Sequence, residues 1–124
     1  MMKTILLAIH PKQLTKIFAG EKYYEFRRVK PKQQPTKLIF YCTTPIAAVV
    51  GEAMVSTVLI ETPTKLWQQT KDKSGSSKED FFNYFENCDY GVAYQLEAVK
   101  EYQEKHSLSE YGLKKAPRSY VYLK

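Results

Sequence analysis

Thr4–Ile9 reads TILLAI, and His10–Pro11 closes the run at once. A segment of this length, aliphatic and β-branched, is strand-like, and it falls far short of the roughly 20 apolar residues that a membrane-spanning helix needs. Side chains on a strand alternate between the two faces of a sheet, so a nearly continuous apolar run has to bury both. The first strand is therefore expected inside a sheet covered on both sides. No small-residue cleavage site follows it, so it is not read as a signal peptide; no membrane association is expected, and cytoplasm is the expected location.

At 124 residues the chain suits one domain with a sizeable core, and a single domain over 1–124 is expected. Pro11 opens a short helix whose Leu14, Ile17 and Phe18 form an apolar stripe and whose stop is Gly20. Tyr23–Val29 reads as strand, and the Lys30–Pro35 segment as a polar loop. Lys37–Tyr41 is a further strand, and Ile46–Ile60 is one long bent strand or two, with Gly51 at the bend. Thr62–Pro63 caps a second helix through Thr70, and Ser76 or Ser77 caps a third, with Glu79 and Asp80 in its first turn. Phe81, Phe82, Tyr84 and Phe85 require that third helix to pack on the sheet, and Lys71–Ser77 between the helices is expected as a mobile loop. Val92–Val99 reads as strand, Lys100–Tyr111 as charged and irregular with one helical turn after Ser107 or Ser109, and Arg118–Leu123 as the closing strand. Strands with helices inserted between them predict a compact α+β barrel.

Hydrophobic residues at 44% and charged residues at 26% are ordinary, so the sign of the charge discriminates more. Nineteen Lys and Arg against 13 Asp and Glu give +6. A basic excess favours a polyanionic partner, nucleic acid first, although many basic proteins have none; clustering on one face is what separates the two. Cys42 and Cys88 are widely spaced and expected as free thiols; His10 and His106 stand apart from them, so no metal site and no cofactor is expected.

Gly20–Arg28, GEKYYEFRR, is the densest mixture of charge and aromatic character. On a regular strand Tyr23, Glu25 and Arg27 share one face, and Lys22, Tyr24, Phe26 and Arg28 the other. Glu25 can pair with Arg27 and fix the direction of a guanidinium suited to phosphate or base edges. Lys22 stands where helix, glycine and strand meet, a place from which it can turn into a cleft despite its parity. A strand with a solvated charged face has the same spacing. The ten tyrosines can supply stacking platforms, although most aromatics in strands are core. Pro117 holds Arg118 and Ser119 stiffly at the mouth of the last strand, where guanidinium and hydroxyl can meet a phosphate; a plain turn fits equally. There is no GxSxG, no glycine-rich phosphate loop and no histidine–carboxylate motif, and neither histidine has a sequence neighbour that marks it as a base.

Ile9–His10–Pro11, the helix ending Gly20–Glu21–Lys22, and Glu25–Phe26–Arg27 resemble the opening signature of the ASCH domains: strand, proline-led helix, G-x-K turn, then E-x-R. The resemblance continues through Phe40–Pro45 and Val49–Glu52, similar to the family's tyrosine strand and V-x-G-E region. It reaches Pro117–Tyr120, where relatives carry a P-x-S-aromatic strand. It implies a PUA-like β-barrel with short helices between strands, and a cleft, lined by the motif, that binds RNA. Members are described as RNA-binding modules, and some as small hydrolases acting on RNA or on acetylated cytidine nucleosides. By position Lys22 matches the family lysine, Glu25 and Arg27 the E-x-R pair, and Ser119 the C-terminal serine. The acetylcytidine amidohydrolases place a threonine nucleophile three residues after the lysine, where this chain has Glu25, and Lys71–Ser77 offers no matching acid; both departures argue against that activity.

The expectation is an RNA-binding domain with a basic, tyrosine-lined cleft built from Lys22, Tyr24, Glu25, Arg27, Tyr41, Arg118 and Ser119. The alternative is a metal-independent hydrolase, a ribonuclease or a modified-nucleoside hydrolase, using the same cleft, with Lys22 and Ser119 as the catalytic candidates.

Overall fold

A computed structural model describes residues 2–124. Thr4–Ile9 forms β1, and His10 then caps helix α1 (Pro11–Phe18): its Nδ1 accepts from the Lys12 backbone N–H at 3.1 Å. Proline at the first helical position surrenders no helix bond. Strand β2 (Tyr24–Arg27) follows, then β3 (Lys37–Cys42) and the long β4 (Ala48–Glu61). Two helices come next, α2 (Pro63–Thr70) under the Thr62 cap and α3 (Lys78–Tyr84) under the Ser77 cap, separated by a 3₁₀ turn at Lys71–Lys73. Strand β5 (Gly91–His106), a second 3₁₀ turn (Leu108–Tyr111) and β6 (Tyr120–Leu123) complete the chain.

The strands form one mixed sheet in the order β2-β5-β4-β3-β1-β6, with β1 parallel to β3 and every other pair antiparallel. The sheet curls into a half-barrel, the α+β barrel-like fold expected from the sequence. Strand β1 is covered on both faces as its composition requires. Ile5, Leu7 and Ile9 join Leu14, Ile17 and Phe40 in one core, while Leu6 joins Ile39, Tyr41 and Val49 in another, under Leu108, Tyr111 and Leu113. A third cluster packs Phe26 on β2 against Phe81 of α3 and Phe85 just past its end, with Leu66 of α2. Among the described residues no helix is long and apolar enough to cross a membrane.

Three local expectations are corrected. Strand β5 does not stop at Val99: Lys100, Glu101 and His106 pair with Glu52, Gly51 and Val49 of β4. Their polar side chains reflect exposure, not loss of the ladder. Strand β2 is shorter than Tyr23–Val29, because its partner β5 begins at Gly91, just past the Arg27–Val92 pair. Lys71–Ser77 is packed rather than free. Ser74 is fully buried, Lys73 O accepts from the Tyr23 N–H at 2.8 Å, and Gly75 O accepts from Lys16 Nζ at 2.9 Å. Gly51 does mark an irregularity in β4: the register shifts between Val49 and Gly51, and a Cβ at Gly51 would stand 2.5 Å from Lys100 O and 2.7 Å from the Phe18 ring.

Strands β2 and β6 are the two edges of the sheet. The curl brings them within side-chain reach, and Arg27 spans the gap: Nη2 donates to Ala8 O at 2.9 Å and Nη1 to Ser119 Oγ at 3.1 Å. One guanidinium thus bridges a seam that no backbone ladder crosses among the described residues.

Candidate functional site

Beside that seam lies a cleft of about 390 Å³, formed where the end of β1, the start of α1, strand β2 and helix α3 meet. Lys22 forms part of its floor. After Gly20, whose φ of 76° turns the chain out of α1, the Lys22 N–H donates to Lys16 O at 3.2 Å. This ties the residue back to the helix and breaks strand parity, so Lys22 enters the cleft with Glu25 and Arg27. Gly75, at φ 67°, lies against the lysine stem so closely that a Cβ there would sit 2.6 Å from Lys22 Cβ.

Lys22 is only 4% exposed. Its ammonium donates to Ser74 O at 3.3 Å and lies 4.6 Å from the centre of the Phe26 ring. No carboxylate of the described residues comes within 4 Å of it. An ammonium has three N–H donors, so this one keeps capacity for a ligand. Burial holds its pKa below the ordinary lysine value; the charge of Glu25 opposes that, while Lys16 and Arg27 add to it.

Glu25 is buried and paired with Arg27, whose Nη2 and Nε donate to the same oxygen, Oε2, at 2.8 and 3.1 Å. Oε1 accepts no hydrogen bond from the described residues and remains an acceptor for something else. Arg27 spends Nε, Nη1 and Nη2 on Glu25, Ser119 and Ala8, so its main task here is positional. Phe26, Phe81 and Tyr84 supply an aromatic wall, and Asp80 adds a carboxylate. The Tyr84 hydroxyl donates to Phe26 O at 3.2 Å, and burial raises its pKa, with the charge of Arg27 opposing. It is a neutral phenol at neutral pH.

The structure brings Lys22, Glu25 and Arg27 together in the cleft, holds Ser119 at the seam through Arg27 Nη1 and outside the cleft lining, and separates the other expected residues. Tyr24 packs on Phe26, ring centres 6.2 Å apart, within the cluster under α3 and away from the cleft lining. Tyr41 lies in the core behind β1, 7% exposed, because β3 is an interior strand of the sheet. Arg118 is exposed and makes no hydrogen bond or ion pair among the described residues. The expectation of a basic, tyrosine-lined cleft is corrected accordingly: Lys22 and Arg27 are balanced by Glu25 and Asp80, and Tyr84 is the tyrosine in the lining. His10, Asp80 and Tyr84 went unselected in the sequence. Asp80 and Tyr84 are four residues apart on α3 and so share a helix face, a signal that the sequence does contain.

Residues 2–113 match the family model described as "Domain of unknown function (DUF365)". A protein of Ureaplasma parvum serovar 3 named large ribosomal subunit protein uL22 is 29% identical over 123 residues, covering 98% of this chain and 40% of that protein. ATP synthase subunit alpha of the same organism is 26% identical over 123 residues, covering 98% and 15%. The chain thus spans less than half the length of these two relatives. An ASCH domain-containing ribonuclease of Zymomonas mobilis is 26% identical over 95 residues, covering 76% of this chain and 64% of that protein. The crystal structure of the ASCH protein from Zymomonas mobilis superposes with a TM-score of 0.87 at 22% identity, covering 98% and 88%, a likeness of fold.

Proposed function

The chain belongs to the DUF365 family and carries the ASCH fold, and from that premise we propose that residues 1–124 form one RNA-directed module. It holds a nucleotide of single-stranded RNA, or an unpaired base of a structured one, in the cleft around Lys22. The observation that carries this reading is the buried Lys22 ammonium, which among the described residues has no carboxylate partner within 4 Å and a single bond, to Ser74 O, in a cavity of nucleotide size. A covered cation with unspent donors costs stability, and a phosphate oxygen supplies what it lacks. Glu25 Oε1 can accept from an exocyclic base amine, and the Phe26–Phe81–Tyr84 wall suits a flat base. The relative named a ribonuclease supports an RNA-related role.

Binding of a short single-stranded RNA, followed by fluorescence anisotropy across a salt titration, tests the proposal. Affinity should fall as salt rises, and Lys22→Ala should weaken it about tenfold or more. An affinity indifferent to both overturns it.

A second reading, metal-independent RNA cleavage, is favoured by His10, which lines the same cleft: with Nδ1 accepting its cap bond, the neutral ring carries its proton on Nε2, where it can serve as the acid. In such a reaction a base removes the proton of a ribose 2′-OH, and the oxygen attacks the adjacent phosphorus. The 5′-oxygen leaves with a proton from an acid, producing a 2′,3′-cyclic phosphate. Lys22 would stabilise the phosphorane charge. RNA incubated with the protein and a chelator should then yield cyclic-phosphate ends, and His10→Ala should abolish them while binding persists. Intact RNA after long incubation leaves binding alone.

A further inference from the structure

Outside the cleft, the residues that leave β2 form a line of cations on aromatic rings. The Arg28 guanidinium stacks 4.2 Å from the centre of Tyr84, the tyrosine that lines the cleft, and Arg28 Nε donates to Tyr84 O at 2.7 Å. Two residues on, Lys30 Nζ lies 5.4 Å from the centre of the Tyr90 ring, itself 37% exposed. Arg27 pairs with Val92, so the segment from Arg28 to Lys30 runs beside Tyr90 and Gly91. Arg28 and Lys30 are exposed and neither forms an ion pair among the described residues, although Asp89 is adjacent to Tyr90 in sequence and exposed.

We infer that this strip, Arg28 on Tyr84 and then Lys30 with Tyr90, binds the nucleotides that follow the one in the cleft, so that the partner is a single-stranded RNA several nucleotides long. The inference rests on the reading of the cleft given above and extends it. Tyr84 belongs to both sites, which makes them continuous. Arg28 is held in direction by a ring beneath it and a bond at Nε, so its outer face is a preformed platform for a base. Its Nη groups have no partner among the described residues and can meet a phosphate. Lys30 adds a second charge, and Tyr90 a second ring. At about 3.3 Å per extended residue the strip reaches at most about 10 Å beyond Arg27, a track and not a second pocket. Duplex RNA does not fit this pattern, because its bases are stacked on each other and cannot take a ring or a guanidinium as a neighbour.

Affinity measured against oligouridylates and oligoadenylates of two, four and six nucleotides, and against a matched duplex, tests the strip. The wild-type protein should bind four nucleotides more tightly than two. Arg28→Ala/Lys30→Ala should bind the dinucleotide as the wild type does but lose the gain with length, about tenfold or more, and its salt slope should fall by about 1.4. Arg28→Lys should keep most of the slope and lose part of the affinity, since charge remains and the stacking plane is gone. A length gain that survives in the double variant overturns the strip, as does duplex binding lost through the same two residues. Failure of the cleft reads differently: the dinucleotide then does not bind the wild type, or binds Lys22→Ala equally well.

Discussion

Lys22 contains the main tension in this molecule. Its stem lies against Gly75 and its ammonium over the Phe26 ring, and its charge is covered without a paired carboxylate among the described residues. Because burial lowers its pKa in the folded protein, the native state holds the proton less tightly than the unfolded chain does. The destabilisation is therefore fully present below the lowered pKa and is relieved as pH rises from there to the ordinary lysine value. Lys22→Met should stabilise the protein at neutral pH, on the order of 1 kcal/mol, and should flatten this part of the stability–pH curve. Urea denaturation at a series of pH values measures both. A less stable variant would mean that the ammonium is better satisfied than its single bond to Ser74 indicates. The same residue shows how far the sequence reaches: the G-x-K spacing drew attention to Lys22, but its under-satisfied state depends on Ser74 and Gly75, more than fifty positions away. Gly75→Ala adds a second check. A left-handed backbone costs an ordinary residue about 1–2 kcal/mol, and the new methyl would push on Lys22, so stability and RNA affinity should fall together.

Among the elements, the irregular β4–β5 ribbon shows where local pattern misleads. The charged end of β5 looks irregular because strands are recognised by alternation with buried positions, and from Glu97 to His106 nothing is buried. Pairing with β4 keeps the segment extended regardless, with the register shifting at Val49–Gly51, Glu52–Met54 and Val55–Thr57. Gly51 lets Phe18 of α1 close over this part of β4. Gly51→Ala should cost about 1–3 kcal/mol, read from the denaturant midpoint, because Lys100 O belongs to backbone and cannot move aside. RNA binding by the folded variant should be unchanged, since Gly51 does not line the cleft. The helix starts, by contrast, were legible. His10–Pro11, Thr62–Pro63 and Ser77 each satisfy first-turn N–H groups through a bond spanning two or three residues.

For the molecule as a whole, the half-barrel depends on Arg27 where the sheet does not close. Its guanidinium joins β2 to β1 and to the approach of β6 while neutralising the buried Glu25. Arg27→Met should destabilise by about 3–5 kcal/mol, mainly by stranding that carboxylate. Adding Glu25→Gln should recover part of the loss, a coupling that a double-mutant cycle measures. Hydrogen exchange in Arg27→Met should quicken first in β2 and β6, the two edges that it ties together. Uniform quickening would assign Arg27 to general stability rather than to the seam.

The elements and the character of the first strand were already legible in the chain's letters. Caps, proline positions and a two-sided apolar run act through neighbours a few residues apart, and such contacts are written consecutively. A family resemblance also marked Lys22, Glu25, Arg27 and Ser119 as belonging together. That Tyr24 and Tyr41 lie away from the cleft, and that His10, Asp80 and Tyr84 line it, emerged with the folded sheet alone. Those placements follow from strand order and from the curl that brings β2 back toward β1 and β6. Curl is a sum of twists and packing over the whole sheet, so no short stretch of sequence displays it.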